Sequence, residues 1–509
     1  MKGQRSLLLK GAAWVSAGNL LVNLLGFLSL IILTRLLMPE DFGLVAIAAS
    51  FAEIIGVITE LSLAAAIIQL RTVEQVHFDT AFTMNVIRGL MVAGLIAASG
   101  PFIAQFYGDP RLTGLLQFLA LASLITSLSN PKLVVFKRKL DFRQAALMSI
   151  ANKLTAFLFA AGVAIIYQSY WALVVGVVAA GVVTLVLSYT FIPYRPRFSL
   201  GAWRDLLSFS IWVTVGRWIQ TVNWRSTTLV LGYFLPVALL GQQRIANRLL
   251  GATVQQTTAP IKALLFPAFS RLQEDEQRLR RGYIRSQSAI CLITYPIAAG
   301  VALLAEELVL LLVGEKWLLS VPLIKIVAVI HMIRTVQNVN ALAMATANTK
   351  AMAIRDLCLF FIRWPLILGG LYIGRADPYS MLLYAMGGQV LSVACGMVLN
   401  ITLIKRISTI SVSDHVGLVW RPLASACVMA GVVLLADATI PQLAGFFGLA
   451  ARAALLAALG AATYFAVLFA IWNAMGREQT VEWELTTIGR DLALKSIAKV
   501  RAAWRAAHT

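Results

Sequence analysis

A chain of 509 residues in which 59% are hydrophobic and 13% charged lies far outside soluble composition, which excludes an array of soluble domains. The formal net charge of +20 would suit a nucleic-acid binder, but the basic residues sit in short loops and tails between apolar runs, so no nucleic-acid partner is expected. Cys291, Cys358, Cys395 and Cys427 are scattered through apolar runs and read as small hydrophobes, neither zinc ligands nor a disulfide framework.

Crossing a hydrocarbon core of roughly 30 Å at 1.5 Å per residue takes about 20 apolar residues. Runs of that length recur throughout the chain, which predicts an all-α polytopic membrane protein with about fourteen transmembrane helices. The first, near residues 11–33, follows Lys2, Arg5 and Lys10 as a signal peptide would, but it is long and another span follows Arg35. It reads as a retained helix. Spans near 42–68, 81–106, 112–136, 145–166 and 171–193 complete an N-lobe over residues 1–193. Residues 194–205, between Pro193 and the next apolar run, read as a cytoplasmic linker. A C-lobe over 206–404 takes spans near 206–232, 236–269, 286–313, 318–346, 357–374 and 379–404. Residues 405–473 hold a cytoplasmic loop and a final helix pair near 422–439 and 448–473. In the tail, residues 474–509, Trp483, Leu485, Ile488, Leu492, Ile497, Val500 and Trp504 lie among basic residues and read as an amphipathic helix on the inner membrane surface. Two lobes of about six helices plus a pair is the plan of a transporter built from two bundles around a pathway.

Orientation follows from the loops. With both termini cytoplasmic, the inner segments hold clusters such as Lys137, Arg138 and Arg143; Arg195, Arg197 and Arg204; and Arg278, Arg280, Arg281 and Arg285. The outer loops hold only Arg35, Arg111, Lys316 and Arg375. That asymmetry, sustained through every connection, is the positive-inside pattern.

Some charges remain inside spans, where each costs about 3 kcal/mol or more unless it faces water or a partner. Arg217 and Arg225 on the seventh span and Arg244 and Arg248 on the eighth, among Gln220, Asn223, Gln242, Gln243 and Asn247, form a cationic wall with no acid on that helix pair. Lys153, Arg334 and Arg363 extend it, and Arg88 adds a cation in the first bundle. An anionic ligand is the simplest compensation, because guanidinium binds phosphate bidentately and stays charged when partly desolvated. The alternative, arginines that bond helix carbonyls or distant acids, stays open. Lys132, Lys262 and Arg452 lie near span ends and are expected to snorkel. Glu53 and Glu60, two turns apart on the second span, share a face, and Glu60 lies at a depth that suits a pair with Arg88. These two acids are the candidates for coupling to a proton or sodium ion. No HExxH, GxSxG or phosphate-cradling glycine loop occurs, so the chain reads as a non-enzyme without a cofactor.

Several loop segments resemble one family. Leu33-Thr-Arg-Leu-Leu-Met-Pro-Glu-Asp-Phe-Gly-Leu44, Phe106-Tyr-Gly-Asp-Pro110, Phe136-Lys-Arg-Lys-Leu-Asp-Phe-Arg143, Phe266-Pro-Ala-Phe-Ser-Arg-Leu-Gln273 and Gly314-Glu-Lys-Trp317 together resemble the bacterial polysaccharide transporter family. Its members are Wzx-type oligosaccharide flippases of the multidrug/oligosaccharidyl-lipid/polysaccharide exporter superfamily, and the likeness is greatest to the colanic-acid and succinoglycan exporter subgroup. The resemblance implies a V-shaped helical bundle in the bacterial inner membrane. Its cargo would be an undecaprenyl-diphosphate-linked oligosaccharide for exopolysaccharide or lipopolysaccharide synthesis, moved by alternating access. Membrane lipids and a polysaccharide polymerase or copolymerase are the implied partners. A lipid II flippase is chemically close and stays as an alternative. An ion-coupled drug exporter of the same superfamily is the other, although it would favour an acidic cavity for cationic drugs.

Overall fold

The computed structural model describes residues 2–61, 63–70, 72–138, 143–207, 211–441 and 445–475; the expected tail helix falls beyond Met475 and so outside the described residues. The regular elements are helical. In chain order they are α1 (Lys2–Leu36), α2 (Pro39–Ile58), α3 (Leu63–Gln69), α4 (Gln75–Tyr107), α5 (Arg111–Ser127), α6 (Val134–Arg138), α7 (Arg143–Tyr167), α8 (Trp171–Phe191), α9 (Trp203–Leu207) and α10 (Ile211–Phe234). There follow α11 (Val237–Leu272), α12 (Glu276–Leu303), α13 (Ala305–Leu312), α14 (Ser320–Thr335), α15 (Val339–Ala345), α16 (Thr349–Ile373), α17 (Pro378–Ile407), α18 (Val412–Thr439) and α19 (Gly445–Ala474).

Among the described residues, 11 helices are long and apolar enough to cross a membrane, which makes the protein a multi-pass α-helical membrane protein. The expected count was about fourteen. The three remaining expected spans correspond to α5, which has only 17 residues, and to α10 and α11. The last two have the length, but Gln220, Asn223 and Arg225 in α10 and Gln242, Gln243, Arg244 and Arg248 in α11 lower their apolar character.

Two compact units account for the chain. One draws on the chain up to Asn247 together with Leu312–Leu323 and Met352–Gly388; the other on Arg248–Leu311, Ile324–Ala351 and the chain from Gln389.

Within the first unit, two expected continuous spans are broken. The run 42–68 divides after Ile58 because Thr59 turns its hydroxyl back onto the Ile55 and Gly56 carbonyls (3.0 and 3.1 Å), and the Glu60 amide bonds Val57 O at 3.0 Å. Gly56 O is thereby left without a helical amide. The run 112–136 ends at Ser127, since Pro131 forces Asn130 into extended backbone (φ −64°, ψ 116°). Asn130, 2% exposed, then stitches the break to α8 by donating to Ser188 O (3.1 Å) and Ile192 O (2.8 Å). The segment after α8 is also tied down: Tyr194 donates to Asp79 Oδ1 (2.8 Å), and Ser199 N and Ala202 N donate to Thr83 and Thr80 hydroxyls.

At the other end of this unit the family-like loop segments meet. Trp317, fully buried, donates Nε1–H to Thr34 O at 3.0 Å, and Lys316 Nζ donates to Arg35 O at 3.0 Å. Both carbonyls belong to the last turn of α1, where no following helical amide donates to them. Arg111 bridges Asp109 and Glu40 at 2.7 and 2.5 Å. The starts of α2 and α11 touch backbone to backbone. A Cβ on Gly43 would lie 1.9 Å from Val237 O, and one on Gly241 1.8 Å from Pro39 O.

In the second unit, Cys291, Leu292, Tyr295, Met429, Val433, Tyr464 and Leu468 form a core that joins α12, α18 and α19. Gln287 spans the break between α14 and α15, donating to Thr335 O at 2.8 Å and accepting from Asn338 Nδ2 at 2.5 Å. Arg452 does not snorkel as expected from its position. It is 6% exposed and held by Glu307 and Asp437, each at 2.5 Å, because two acids distant in sequence converge on it.

Candidate functional site

The charges expected to act together fall into separate neighbourhoods. Arg88 of α4 and Lys153 of α7 face one cavity of about 780 Å³ inside the first unit, within the roughly 300–1,000 Å³ typical of ligand pockets. Its polar wall residues come from α4 (Asn85, Arg88), the α5 end and the turn after it (Ser123, Ser127, Asn130), α7 (Ser149, Asn152, Lys153) and Thr184 of α8, set among apolar residues such as Val22, Val92, Phe136 and Met148. This is the end at which α2 stops and α5 breaks, opposite the Trp317 cluster.

Each charged wall residue has a structural reason for its place. Arg88 donates Nη2–H to Gly56 O at 2.7 Å and approaches Thr59 Oγ1 at 3.4 Å, so it satisfies the carbonyl that the α2 break strands. The Glu60 carboxylate adds a favourable Coulombic interaction with Arg88. Lys153 passes close to α1, where a Cβ at Gly26 would lie 3.3 Å from its Cε; glycine there leaves room for the lysine stem. Asn152 donates to Thr184 Oγ1 (2.8 Å) and Ala180 O (3.2 Å), which fixes its amide on α8. Asn130, Asn152 and Thr184 were not among the expected site residues. A polar residue in an apolar run was the available signal, and it does not by itself separate cavity walls from helix contacts.

The other expected cations are engaged elsewhere. Arg225 of α10 forms an ion pair with Glu53 of α2, so an acid does reach the α10 wall, from a helix outside the α10–α11 pair. Arg363 of α16, 8% exposed, stacks over Trp224 with its Cζ 4.7 Å from the ring centroid and reaches Asn223 Oδ1 at 3.5 Å. Arg244 is half-buried on α11. The Arg217 side chain lies outside the described residues, although its backbone is part of α10. In the second unit, Arg248 is half-buried on α11, and Arg334 lies on α14 and Lys262 on α11.

Comparison with known proteins agrees with this architecture. A family model described as polysaccharide biosynthesis protein matches residues 32–322, more than half of the chain. The chain belongs to that family. The polysaccharide biosynthesis match takes in the whole Trp317 cluster and most of the cavity wall. Among curated relatives, the Lipopolysaccharide biosynthesis protein WzxC of Escherichia coli (strain K12) is 24% identical over 411 residues, covering 79% of each chain. The Succinoglycan biosynthesis transport protein ExoT of Rhizobium meliloti (strain 1021) is 26% identical over 309 residues, 60% of this chain and 62% of that one. The fold matches that of lipid II flippase MurJ in an inward closed conformation, with a TM-score of 0.71 at 13% identity over 90% of this chain and 99% of that one. An inward-facing multidrug resistance MATE transporter matches with a TM-score of 0.57 at 13% identity, over 76% and 95%. At such identity the likeness speaks for fold and not for cargo.

Proposed function

We infer that this member of the polysaccharide biosynthesis family is a flippase. Its cargo is an undecaprenyl-diphosphate-linked oligosaccharide repeat unit, which it carries across the bacterial inner membrane by alternating access for surface polysaccharide synthesis. The observation that carries the reading is a cavity with Arg88, Lys153 and several hydroxyl and amide groups in its wall, set in a helical membrane protein of this family whose fold matches that of a lipid II flippase. A sugar head cannot cross hydrocarbon unescorted, whereas hydroxyl and amide walls replace its water and cations meet its diphosphate. The polyprenyl tail needs no such wall and stays in lipid.

The positive-inside distribution supports cytoplasmic termini. With that orientation the cavity lies toward the cytoplasmic end of its unit, where a repeat unit assembled inside would enter. The work done is transport without bond making, so the chain acts as a non-enzyme. Arg225 and Glu53 pair with each other, which favours Glu53 as an ion-pair partner of α10 over a lone ion carrier. Energy coupling through a proton or sodium ion, and a polymerase or copolymerase partner, complete the reading.

Deleting the gene and analysing undecaprenyl-linked intermediates together with surface polymer tests it. Accumulated lipid-linked repeats with loss of polymer support the flippase. Loss of viability with peptidoglycan precursor accumulation would transfer the cargo to lipid II, and unchanged polymer and intermediates would remove the export role.

A further inference from the structure

We propose that the cavity walled by α4, α5, α7 and α8 binds the phosphate-bearing head of a carbohydrate phosphate, and that Arg88 takes the anion by giving up the Gly56 carbonyl. The anion's identity rests on the flippase reading above; the site and the exchange rest on the geometry.

Arg88 is held in the cavity wall by one short bond to a neutral backbone carbonyl, 2.7 Å, and a long contact to a hydroxyl, 3.4 Å, with the Glu60 carboxylate attracting it through space. A phosphate offers the same guanidinium two parallel bonds to charged oxygens in the bidentate geometry that its fork matches, where Gly56 O accepts a single bond and carries no net charge. Lys153 reaches the same cavity from α7, so a diphosphate has a second cation within the site. Ser149, Asn152 and Thr184 are hydroxyl and amide groups in a largely apolar wall, and they suit sugar hydroxyls. Asn152 spends Nδ2 on Thr184 and Ala180, which leaves its oxygen as the acceptor it can offer a sugar hydroxyl.

The exchange has a consequence for the backbone. Gly56 O is stranded because the Glu60 amide bonds Val57 O, and without Arg88 only the Thr59 hydroxyl, at 3.1 Å, still reaches it. An anion that draws Arg88 away therefore loosens the last turn of α2. Cargo arrival and the conformation of the α2–α3 break become one event.

The test uses the full-length protein purified in neutral detergent and neutral lipid, with inorganic diphosphate as the probe. Calorimetry reads affinity, and amide hydrogen exchange reads the peptide covering residues 53–61. The wild type is expected to bind diphosphate and to exchange faster there when bound. Arg88→Gln and Lys153→Gln are each expected to weaken binding at least tenfold, Arg88→Lys to weaken it less, and Arg111→Gln, at the other end of the unit, to leave it unchanged. Arg88→Gln without ligand should already show the faster exchange. Equal affinity in wild type, Arg88→Gln and Lys153→Gln overturns the site, and slower or unchanged exchange on binding overturns the exchange of partners. A parallel series with phosphatidylglycerol separates sources: competition with diphosphate would hand the site to a lipid headgroup, whereas no competition keeps the carbohydrate phosphate. Absent binding in a protein whose deletion still blocks export removes this site alone. Binding by a protein whose deletion changes nothing removes the flippase reading alone.

Discussion

Trp317 donates its indole N–H to the Thr34 carbonyl at 3.0 Å while packing edge-on against Phe42 with ring centroids 5.3 Å apart. One residue from the Gly314–Trp317 segment thus closes the end of α1 and pins the start of α2. Trp317→Phe should keep most of the packing and strand the Thr34 carbonyl, a loss of about 1–3 kcal/mol. Trp317→Ala adds a cavity and should cost about 3–5 kcal/mol. Thermal melting in detergent checks the order wild type, Phe, Ala; equal melting of all three would show that the cluster does not hold the helices.

Gly241 permits the backbone contact of α11 with α2. Gly241→Ala puts a methyl group within 1.8 Å of Pro39 O, a clash with backbone that no rotamer relieves, and should destabilise by about 1–3 kcal/mol or more. Gly94→Ala, where nothing lies within 4 Å of the new atom, should be neutral or stabilising by up to about 1 kcal/mol. The same melting series measures both.

Arg452 is predicted to be needed only while its acids are present. Arg452→Met leaves the buried Glu307 uncompensated and should cost about 3–5 kcal/mol. The triple variant Glu307→Leu, Asp437→Asn, Arg452→Met should recover most of that loss, since a well-packed apolar set often matches a buried ion group. Additive losses in the combined variant would count against the triad.

How much of this was legible beforehand differs by level. The apolar runs carry the membrane class and 11 of the roughly fourteen expected spans, because burial in lipid imposes one simple requirement on consecutive residues. They do not carry the breaks after Ile58 and Ser127. Those depend on Thr59, on Asn130 and Pro131, and on carbonyls that find partners in other helices. Similarly, the expense of intramembrane charge singles out Arg88 and Lys153, but only the packing of α4 on its neighbours brings them to one cavity. Arg452 was misread because depth along a helix says nothing of acids approaching from α13 and α18.

The Glu53–Arg225 pair joins α2 to α10. If its electrostatic sense matters to export, Glu53→Arg or Arg225→Glu alone should reduce complementation of a deletion strain about tenfold or more, and the swapped double variant should regain a substantial part. A double variant no better than the singles would mean that one of the two acts on its own, as an ion or cargo contact.

Asp109 supplies a pH dependence. Its bonds to the Arg111 guanidinium hold its carboxyl below the usual range, so the folded state binds its proton less tightly than the unfolded chain does. The stabilisation is complete above the ordinary carboxylate range and is lost as pH falls through the lowered value. Melting temperature should therefore drop on acidification more steeply in wild type than in Arg111→Gln, in which the shift is removed. Identical acid profiles would exclude the contribution.

Flipping itself is the most direct measurement. Purified protein is reconstituted into vesicles that carry a fluorescent undecaprenyl-diphosphate-linked oligosaccharide in both leaflets, and a membrane-impermeant reductant then quenches the label. The account predicts that quenching passes from about half of the label, the outer leaflet alone, to nearly all of it when the protein is present, and returns toward half with Arg88→Gln or Lys153→Gln. Quenching that stays at the protein-free level with folded wild-type protein, under an imposed proton or sodium gradient as well as without one, would contradict it.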